Sequence, residues 1–306
     1  MTPSARRESA EYLVNEKEYP VRVACETVGV RRSTYYYEPK KQSYEDQVVK
    51  ALHQLSDAHP RYGYRRMTAM LKGEGFRVNK KRVQRLWRKE GLKVIVKRRK
   101  RKRWELPMTI VPVALYPNHV WSWDFVVDRT ADGRAVKILN IVDEYSRFNI
   151  ALEAKRHFKG LDVIDALGRS MVQYGIPGCI RSDNGSEFIH KELKKWLFEH
   201  GIKILYIEPG SPWENPYVES FNGKLRDECL NREWFLSLAE VHVTLLDYRK
   251  QHNTKRPHTA LKYRTPAEVY DQSIHAGSLR EPVFKTNTLN LFWRENFTSN
   301  VSNLWG

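Results

Sequence analysis

Seven consecutive basic residues, at positions 97–103, divide this chain more sharply than any other feature of its sequence. Like charges this close together repel one another and cannot pack in a hydrophobic core, so the run predicts an extended linker or arm. The charge balance changes at the same place. Residues 1–106 contain 28 Lys and Arg against 12 Asp and Glu, whereas residues 107–306 contain 25 against 24. We therefore expect a basic helical region over 1–96, a basic linker over 97–114 and a near-neutral domain after it.

The basic excess indicates a polyanionic partner, most simply nucleic acid. A basic, solvated surface that aids solubility is the alternative. No run approaches the roughly 18 apolar residues of a membrane span, and the N-terminus lacks the apolar stretch of a signal peptide. The three cysteines are far apart in the sequence, which is typical of a reducing compartment. These features predict a cytoplasmic protein that does not associate with membranes.

The N-terminal region reads as short helices. Apolar residues at helical spacing predict a helix over 21–28, Gly29 predicts a turn, and Ser33 is a candidate N-cap for the next helix. Helix, glycine turn and helix form the outline of a helix-turn-helix, although many small helical domains share that outline.

A second pair of helices follows at 62–72 and, after a cap at Asn79, through Glu90. In the latter helix an apolar stripe predicts core packing, and a basic face is either solvated or laid on DNA phosphates. The stripe consists of Val83, Leu86 and Trp87, and the basic residues include Lys80, Lys81, Arg82 and Arg85.

From about residue 115 strands and helices alternate, which is typical of an α/β domain. The predicted strands are 120–127, 135–142, 147–152, 179–181 and 202–207, with a hairpin turn at Asp132-Gly133. The predicted helices are 160–174, 187–200 and one that begins at Pro216. The helix at 160–174 is expected to bury Leu161, Ile164, Leu167, Gly168 and Met171.

Three acidic residues are conspicuous in this domain. Asp124 lies in mid-strand among aromatic and aliphatic residues, where a carboxylate needs a partner, a metal or a proton. Asp183 ends a strand, at the edge where open α/β sheets place their sites. Glu219 lies in the first turns of a helix. Taken separately, each acid could equally be a cap, a turn residue or half of a surface ion pair.

The helix that carries Glu219 has two stripes. Its apolar stripe consists of Val218, Phe221, Leu225 and Cys229, and its neighbouring polar stripe of Glu219, Asn222 and Arg226. Three convergent carboxylates suit Mg²⁺, an oxygen-preferring ion. Two such ions can activate an attacking hydroxyl and stabilise the leaving oxygen of an in-line phosphoryl displacement.

Thirty-five residues separate Asp183 from Glu219, and Arg226 follows Glu219 by seven. With these and further motifs the chain resembles the integrase-like (DDE) transposases of bacterial insertion sequences, specifically the second open reading frame (OrfB) of the insertion sequence three family. The other matching stretches are 59–66, 120–125, 132–134, 142–147, 182–185, 219–231 and 256–261.

The resemblance implies an RNase H-like catalytic core with a mixed five-stranded sheet over 115–275, preceded by an all-α, helix-turn-helix-like DNA-binding region. It implies that Asp124, Asp183 and Glu219 bind Mg²⁺, with Mn²⁺ as a substitute. The reaction would be cleavage at element ends and then transesterification by a 3′-hydroxyl, without a covalent protein–DNA intermediate. Residues 276–306 are left as a tail without an assigned role.

The implied partners are double-stranded DNA of the element ends and the target, further copies of the chain in a synaptic complex, and a first-frame (OrfA) protein. The implied location is the bacterial cytoplasm, in association with the nucleoid. The candidate DNA-binding residues are Arg61, Arg65, Arg66, Lys80, Lys81, Arg82, Arg85, Lys97, Arg98, Arg99, Lys100, Arg101, Asn215, Lys224 and Arg226.

Three other classes of protein share some of these features. A retroviral-type integrase usually carries an N-terminal zinc module with two histidine and two cysteine ligands. Cys25 is the one cysteine of the N-terminal third, so this chain cannot form that module there. A Holliday-junction resolvase does not need the 35-residue spacing. A DNA-binding protein without catalysis is the rival from another class, and the three acids argue against it. Trp121 and Trp123 could stack on bases, but core packing is the simpler expectation for at least one of them, as it is for Cys179 and Cys229. His258 could contact DNA or the scissile phosphate, but packing or a surface role is the simpler expectation.

Overall fold

The computed structural model describes residues 2–37, 43–92, 94, 113–182, 190–207 and 215–277. The chain forms two compact units, Met1–Leu55 and Ser56–Gly306. The linker expected at 97–114 falls largely on residues outside the described part, and its boundaries stay a prediction. None of the helices in the described ranges is long and apolar enough to cross a membrane.

The first unit is helical. It contains α1 (Pro3–Asn15), α2 (Val21–Val28), α3 (Arg32–Tyr35) and the beginning of α4 (Ser43–Ala58). The predicted turn is confirmed, because Gly29 ends α2 with a φ of 67°, a conformation that glycine adopts without strain. The cap predicted at Ser33 is wrong: α3 begins at Arg32, two residues earlier than such a cap implies, so Arg31 is the N-cap residue and Ser33 lies within the helix.

The second unit begins with a helix pair, α5 (Tyr64–Gly73) and α6 (Lys80–Lys89), which pack on each other. The cap predicted at Asn79 is confirmed, because its side chain accepts a hydrogen bond from the backbone amide of Arg82 at 2.7 Å. The predicted apolar stripe of α6 is also confirmed. Val83, Leu86 and Trp87 are all buried.

A mixed sheet of five strands forms the centre of the second unit. Its strands are β1 (Val120–Arg129), β2 (Ala135–Asp143), β3 (Asn149–Lys155), β4 (Cys179–Ser182) and β5 (Lys203–Tyr206). Their order is β3-β2-β1-β4-β5; β1 to β3 form an antiparallel meander, and β4 pairs in parallel with both β1 and β5. The third strand starts two residues later than predicted, because Arg147 occupies a turn with a φ of 63°.

Helices cover both faces of this sheet. They are α7 (Gly160–Tyr174), α8 (Lys191–Glu199), α9 (Pro216–Glu228), α10 (Leu238–Thr254) and α11 (Pro266–Gly277). One hydrophobic core includes Trp121, Trp123 and residues of α7 and α8, and a second joins Val126 of β1 to α9 and α10. The bounds predicted for α7 are confirmed, but Leu161 is 63% exposed, so its predicted burial is wrong. Val163 and Ala166 are buried in α7 instead.

Candidate active site

Strand β1 presents Asp124 on the face of the sheet that α9 covers. Trp121 and Trp123 point to the other face, where both are almost completely buried (0% and 1% exposed). Successive side chains of a strand alternate between faces, so Asp124 shares the second face with Val126. Both tryptophans therefore belong to the core, and Asp124 is the half-buried polar residue left on β1 to face α9.

Helix α9 brings Glu219 to this carboxylate. Pro216 occupies the first turn, and Val218, Phe221 and Leu225 are buried against β1 and β2. Glu219 is solvent-exposed on this helix. Its pKa is raised, first by partial burial and then by the negative charge of Asp124.

Asn222, one helical turn after Glu219, connects the helix to the sheet. Its Nδ2 donates to Oδ2 of Asp124 at 2.8 Å, and its Oδ1 accepts from Nδ2 of Asn140 at 2.7 Å. Asn140 lies directly opposite Asp124 in the β1–β2 pairing. One amide side chain thus bridges two neighbouring strands and holds the Asp124 carboxylate.

The amide chain continues into the core. Nδ2 of Asn149 donates to Oδ1 of Asn140 at 2.6 Å, and the backbone of Asn149 exchanges two hydrogen bonds with the side chain of Asn253 on α10, at 2.8 and 3.0 Å. Asn140 and Asn149 are fully buried. An ionised carboxylate can accept hydrogen bonds but cannot donate them, so Asp124 sets the orientation of each side-chain amide from Asn222 to Asn149.

Asp183 lies outside the described residues, but the strand that leads to it is described. Ser182, the preceding residue, is the last residue of β4. Arg181 is 3% exposed, and its Nε donates to Oε1 of Glu144 at 2.7 Å. Glu144 is itself 1% exposed, and its pKa is raised chiefly by burial, against the lowering effect of Arg181. This buried ion pair ties the end of β4 to the turn between β2 and β3.

That turn is built around Asp143, which is fully buried. Its carboxylate accepts hydrogen bonds from the backbone amide and hydroxyl of Ser146 and from the backbone amide of Asn118. Burial raises the pKa of Asp143, while these hydrogen bonds act in the opposite direction. The acid therefore has a structural role in the turn.

The residues predicted to bind DNA occupy several environments. Arg61 and Arg66 form ion pairs with Asp227 and Glu228 of α9. Arg65, Lys80, Lys81 and Arg85 are exposed and Arg82 is partly exposed. Lys97, Arg98, Arg99, Lys100 and Arg101 lie outside the described residues.

Three predicted DNA-binding residues belong to α9 or its cap. Arg226 is exposed, and its Nη2 donates to the carbonyl oxygen of Val127 at 3.0 Å. Lys224 is half-buried. Asn215 is 3% exposed, and its Nδ2 donates to the carbonyl oxygen of Trp123 at 3.4 Å. His258 is buried, which agrees with the packing alternative, and Cys229 is buried as expected, whereas Cys179 is only partly buried.

Sequence reasoning missed Asn140 and Asn149 and assigned Asn222 merely to a polar stripe. A signal was available for Asn140, which is a polar residue in the middle of an otherwise apolar strand, Ile138-Leu139-Asn140-Ile141-Val142. A buried amide in such a place requires hydrogen-bond partners. The identity of those partners depends on which helix covers the strand, and the local sequence does not contain that information.

Comparison with known proteins agrees with this arrangement. Two family models described as "Integrase core domain" match residues 114–212 and 200–266, and one described as "HTH-like domain" matches residues 43–100. The chain is 39% identical over 249 residues to the "Insertion element IS407 uncharacterized 31.7 kDa protein" of Burkholderia multivorans, which covers 81% of this chain and 89% of that protein.

It is also 29% identical over 270 residues to the "Putative transposase InsK for insertion sequence element IS150" of Escherichia coli K12, over 83% of this chain and 95% of that one. Among solved structures, the HTLV-2 integrase catalytic core domain in complex with magnesium aligns with a TM-score of 0.43 and 20% identity, over 51% of this chain and 98% of that one.

The sheet order, the helix across β1 and the integrase-core matches define an integrase-type polynucleotidyl transferase with an RNase H-like core. Within that class the chain belongs to the insertion sequence three family, as an OrfB-like DNA transposase.

Proposed function

We propose that this transposase cuts DNA at the ends of an insertion element and joins each freed 3′-hydroxyl to target DNA, with Asp124, Asp183 and Glu219 as its catalytic carboxylates. One observation carries the proposal: Asn222, one helical turn after Glu219 on α9, donates a hydrogen bond to Asp124 at 2.8 Å, so the helix holds both carboxylates on one side of the sheet. Two carboxylates that disfavour each other's ionisation form a site that a bound cation would stabilise.

The donor set fits a divalent, oxygen-preferring ion, Mg²⁺ with Mn²⁺ as a substitute. Within the described ranges, no third His, Cys, Asp or Glu completes a metal-binding group with Asp124 and Glu219. We assign the third position to Asp183, which follows the last described residue of β4. When bound, such ions favour the ionised form of an attacking hydroxyl and stabilise the charge on a leaving oxygen.

The side chains of the protein contribute positioning. Asn222 fixes the orientation of Asp124, and the buried pair of Arg181 and Glu144 fixes the strand that precedes Asp183. In the joining step the 3′-oxygen forms a bond to phosphorus, the bond from phosphorus to the target's own 3′-oxygen breaks, and that oxygen takes up a proton. No protein atom enters a covalent bond with DNA in this scheme.

The DNA substrate also defines the partners that we propose. The element ends and the target are double-stranded DNA, bound through the basic N-terminal region and the exposed cations of α6. Two ends must be held together, which requires more than one copy of the chain, and an OrfA protein is the proposed partner for recognition of the ends.

The proposal is tested by strand transfer in vitro with pre-cleaved element ends and Mg²⁺. Wild-type chain should join the ends, Glu219→Gln should not, and both should bind DNA equally. Glu233→Gln is the matched control, because Glu233 is an exposed carboxylate shortly after α9, and it should join like the wild type. If nothing is joined even after OrfA protein is added, while DNA binding is normal, the chain is a DNA-binding protein rather than a transferase.

A further inference from the structure

A cationic pocket of about 360 Å³ opens beside the N-terminal half of α9. It is distinct from the pair of carboxylates and lies wholly within the second unit. Its cations are Arg66 of α5, Arg147 of the β2–β3 turn, Lys224 of α9 and Arg256, which follows α10. Ser220 and Thr259 contribute hydroxyl groups to the lining.

The positive charge in this pocket is not balanced by the protein. Glu228 pairs with Arg256 through Nε at 2.7 Å and with Arg66 at 3.4 Å. Among the described residues, no other carboxylate forms an ion pair with any of the four cations. Four cations share one ion-paired carboxylate, so the lining of this partly enclosed space carries more positive than negative charge.

Of the four cations, Lys224 most clearly lacks partners for its charge among the described residues. Within the described part of the chain its ammonium group has neither an ion pair nor a hydrogen bond. Its pKa is lowered to about 8, first by burial and then by the charge of Arg256. A lysine in this state gains more from an incoming anion than a solvated surface lysine does, because it has already lost much of its hydration.

The other polar groups of the pocket are also poorly paired. Arg147 lies 3.8 Å from the centre of the Tyr217 ring, and its guanidinium donates to the carbonyl oxygen of Glu144, which leaves further donors available. His252 is 2% exposed, and its Nδ1 is buried without a hydrogen-bond partner in the described residues. Burial and the nearby cations lower the pKa of His252, which therefore adds no charge.

The position of the pocket suggests which anion it takes. Each residue turns an α-helix by about 100°, so Ser220 and Lys224 lie on one flank of α9, and Asn222 and Arg226 lie on the flank that also carries Glu219. Lys224 is five residues beyond Glu219, or about 7.5 Å along the helix. Two nucleotides of one DNA strand span about the same axial distance, at 3.4 Å each.

We propose that this pocket binds a backbone phosphate of the DNA strand, within about two nucleotides of the phosphate that reacts at Glu219. The inference rests on the proposed function for its choice of DNA as the ligand. Guanidinium groups and an ammonium around one site suit the oxygens of a phosphodiester. The strand would then cross the beginning of α9, held on one flank by the pocket and on the other by Arg226.

The test measures how DNA affinity depends on salt. All proteins are full-length and carry Glu219→Gln to prevent turnover, and the probe is a duplex of arbitrary sequence, because phosphate contacts do not depend on sequence. Loss of one phosphate contact lowers the slope of log K against log salt by about one. We expect that change for Lys224→Gln and none for Lys203→Gln, the control on edge strand β5. Lys224→Arg should retain the original slope.

Removing a desolvated lysine should not destabilise the fold. The melting temperature of Lys224→Gln should therefore be no lower than that of its parent protein. Equal slopes for Lys224→Gln and Lys203→Gln would refute the proposal that this pocket binds a DNA phosphate. The strand-transfer assay is scored separately. Joining by the wild type with equal slopes refutes the phosphate site alone. A reduced slope for Lys224→Gln without joining, even after OrfA protein is added, retains the phosphate site and refutes the transferase.

Discussion

Nδ2 of Asn222 lies 2.8 Å from Oδ2 of Asp124, although the two are 98 positions apart in the chain. This hydrogen bond joins α9 to β1 one helical turn from Glu219. It orients one carboxylate of the proposed metal site from the same helix that carries another. Residues that support metal ligands in this way are often nearly as important as the ligands themselves.

Asn222→Ala should therefore reduce strand transfer by about 10–100-fold and raise the Mg²⁺ concentration needed for half-maximal rate. Asn222→Asp should reduce strand transfer further than Asn222→Ala does, because an additional negative charge would face Asp124. The measurement is a Mg²⁺ titration of the joining rate. Asn231→Ala, at an exposed residue after α9, is the control. An unchanged Mg²⁺ requirement in Asn222→Ala would show that Asp124 needs no such support.

Asn140→Ala should destabilise the second unit by about 1–3 kcal/mol, because it removes the hydrogen-bond donor to Oδ1 of Asn222 and one of the two acceptors of Nδ2 of Asn149. Asn149→Ala should have a smaller effect in the Asn140→Ala background than alone, since the two residues share a hydrogen bond. Urea unfolding followed by tryptophan fluorescence measures both. If the losses of unfolding free energy in the two single variants add up to that of the double variant, Asn140 and Asn149 do not stabilise the fold cooperatively.

Glu144→Gln should cost about 3–5 kcal/mol of stability, because it removes the negative charge that pairs with the buried guanidinium of Arg181. The control is Glu153→Gln, which breaks a pair with Arg169 whose side chains are 30% and 44% exposed. Surface pairs of that kind contribute about 0–1 kcal/mol. Similar losses for the two variants would argue against a role of the buried pair in fixing β4.

Lys224 should make stability depend on pH in a defined interval. Its pKa is about 8 in the folded chain and 10.5 as a free side chain. Between these values the unfolded chain holds a proton that the folded chain lacks, so the contribution of Lys224 to stability rises with pH. Below the folded pKa the penalty of burying the ammonium is fully present.

Lys224→Met removes this group, so its stability advantage over the wild type should be greatest near neutral pH and should shrink as pH rises through the interval. The measurement is urea unfolding of both proteins at about pH 7 and about pH 10. The comparison cancels the titration of other groups. A difference that does not change with pH would mean that Lys224 is normally solvated.

Much of the fold could be predicted because the relevant signals are local. Alternation of apolar and polar residues located all five strands to within a few residues, and the cap at Asn79 and the extent of α7 followed from neighbouring residues alone. The predictions failed where the role of a residue depends on which other elements pack around it. Leu161 satisfies the helical spacing of a buried residue, but no part of the sheet covers it, and Ser33 has cap chemistry but lies inside α3.

The sequence by itself determined the candidates for the chemistry: an acid within an apolar strand, a second and a third acid with thirty-five residues between them, and a concentration of positive charge in the N-terminal third. The tertiary structure alone decided what those residues contact. That Asn222 reaches Asp124, that Arg181 pairs with Glu144 and that Lys224 enters a cationic pocket all depend on how α9 and the strands pack. The physical reason is that such partners are chosen by the burial of apolar surface over long sequence separations, and no local pattern encodes that choice.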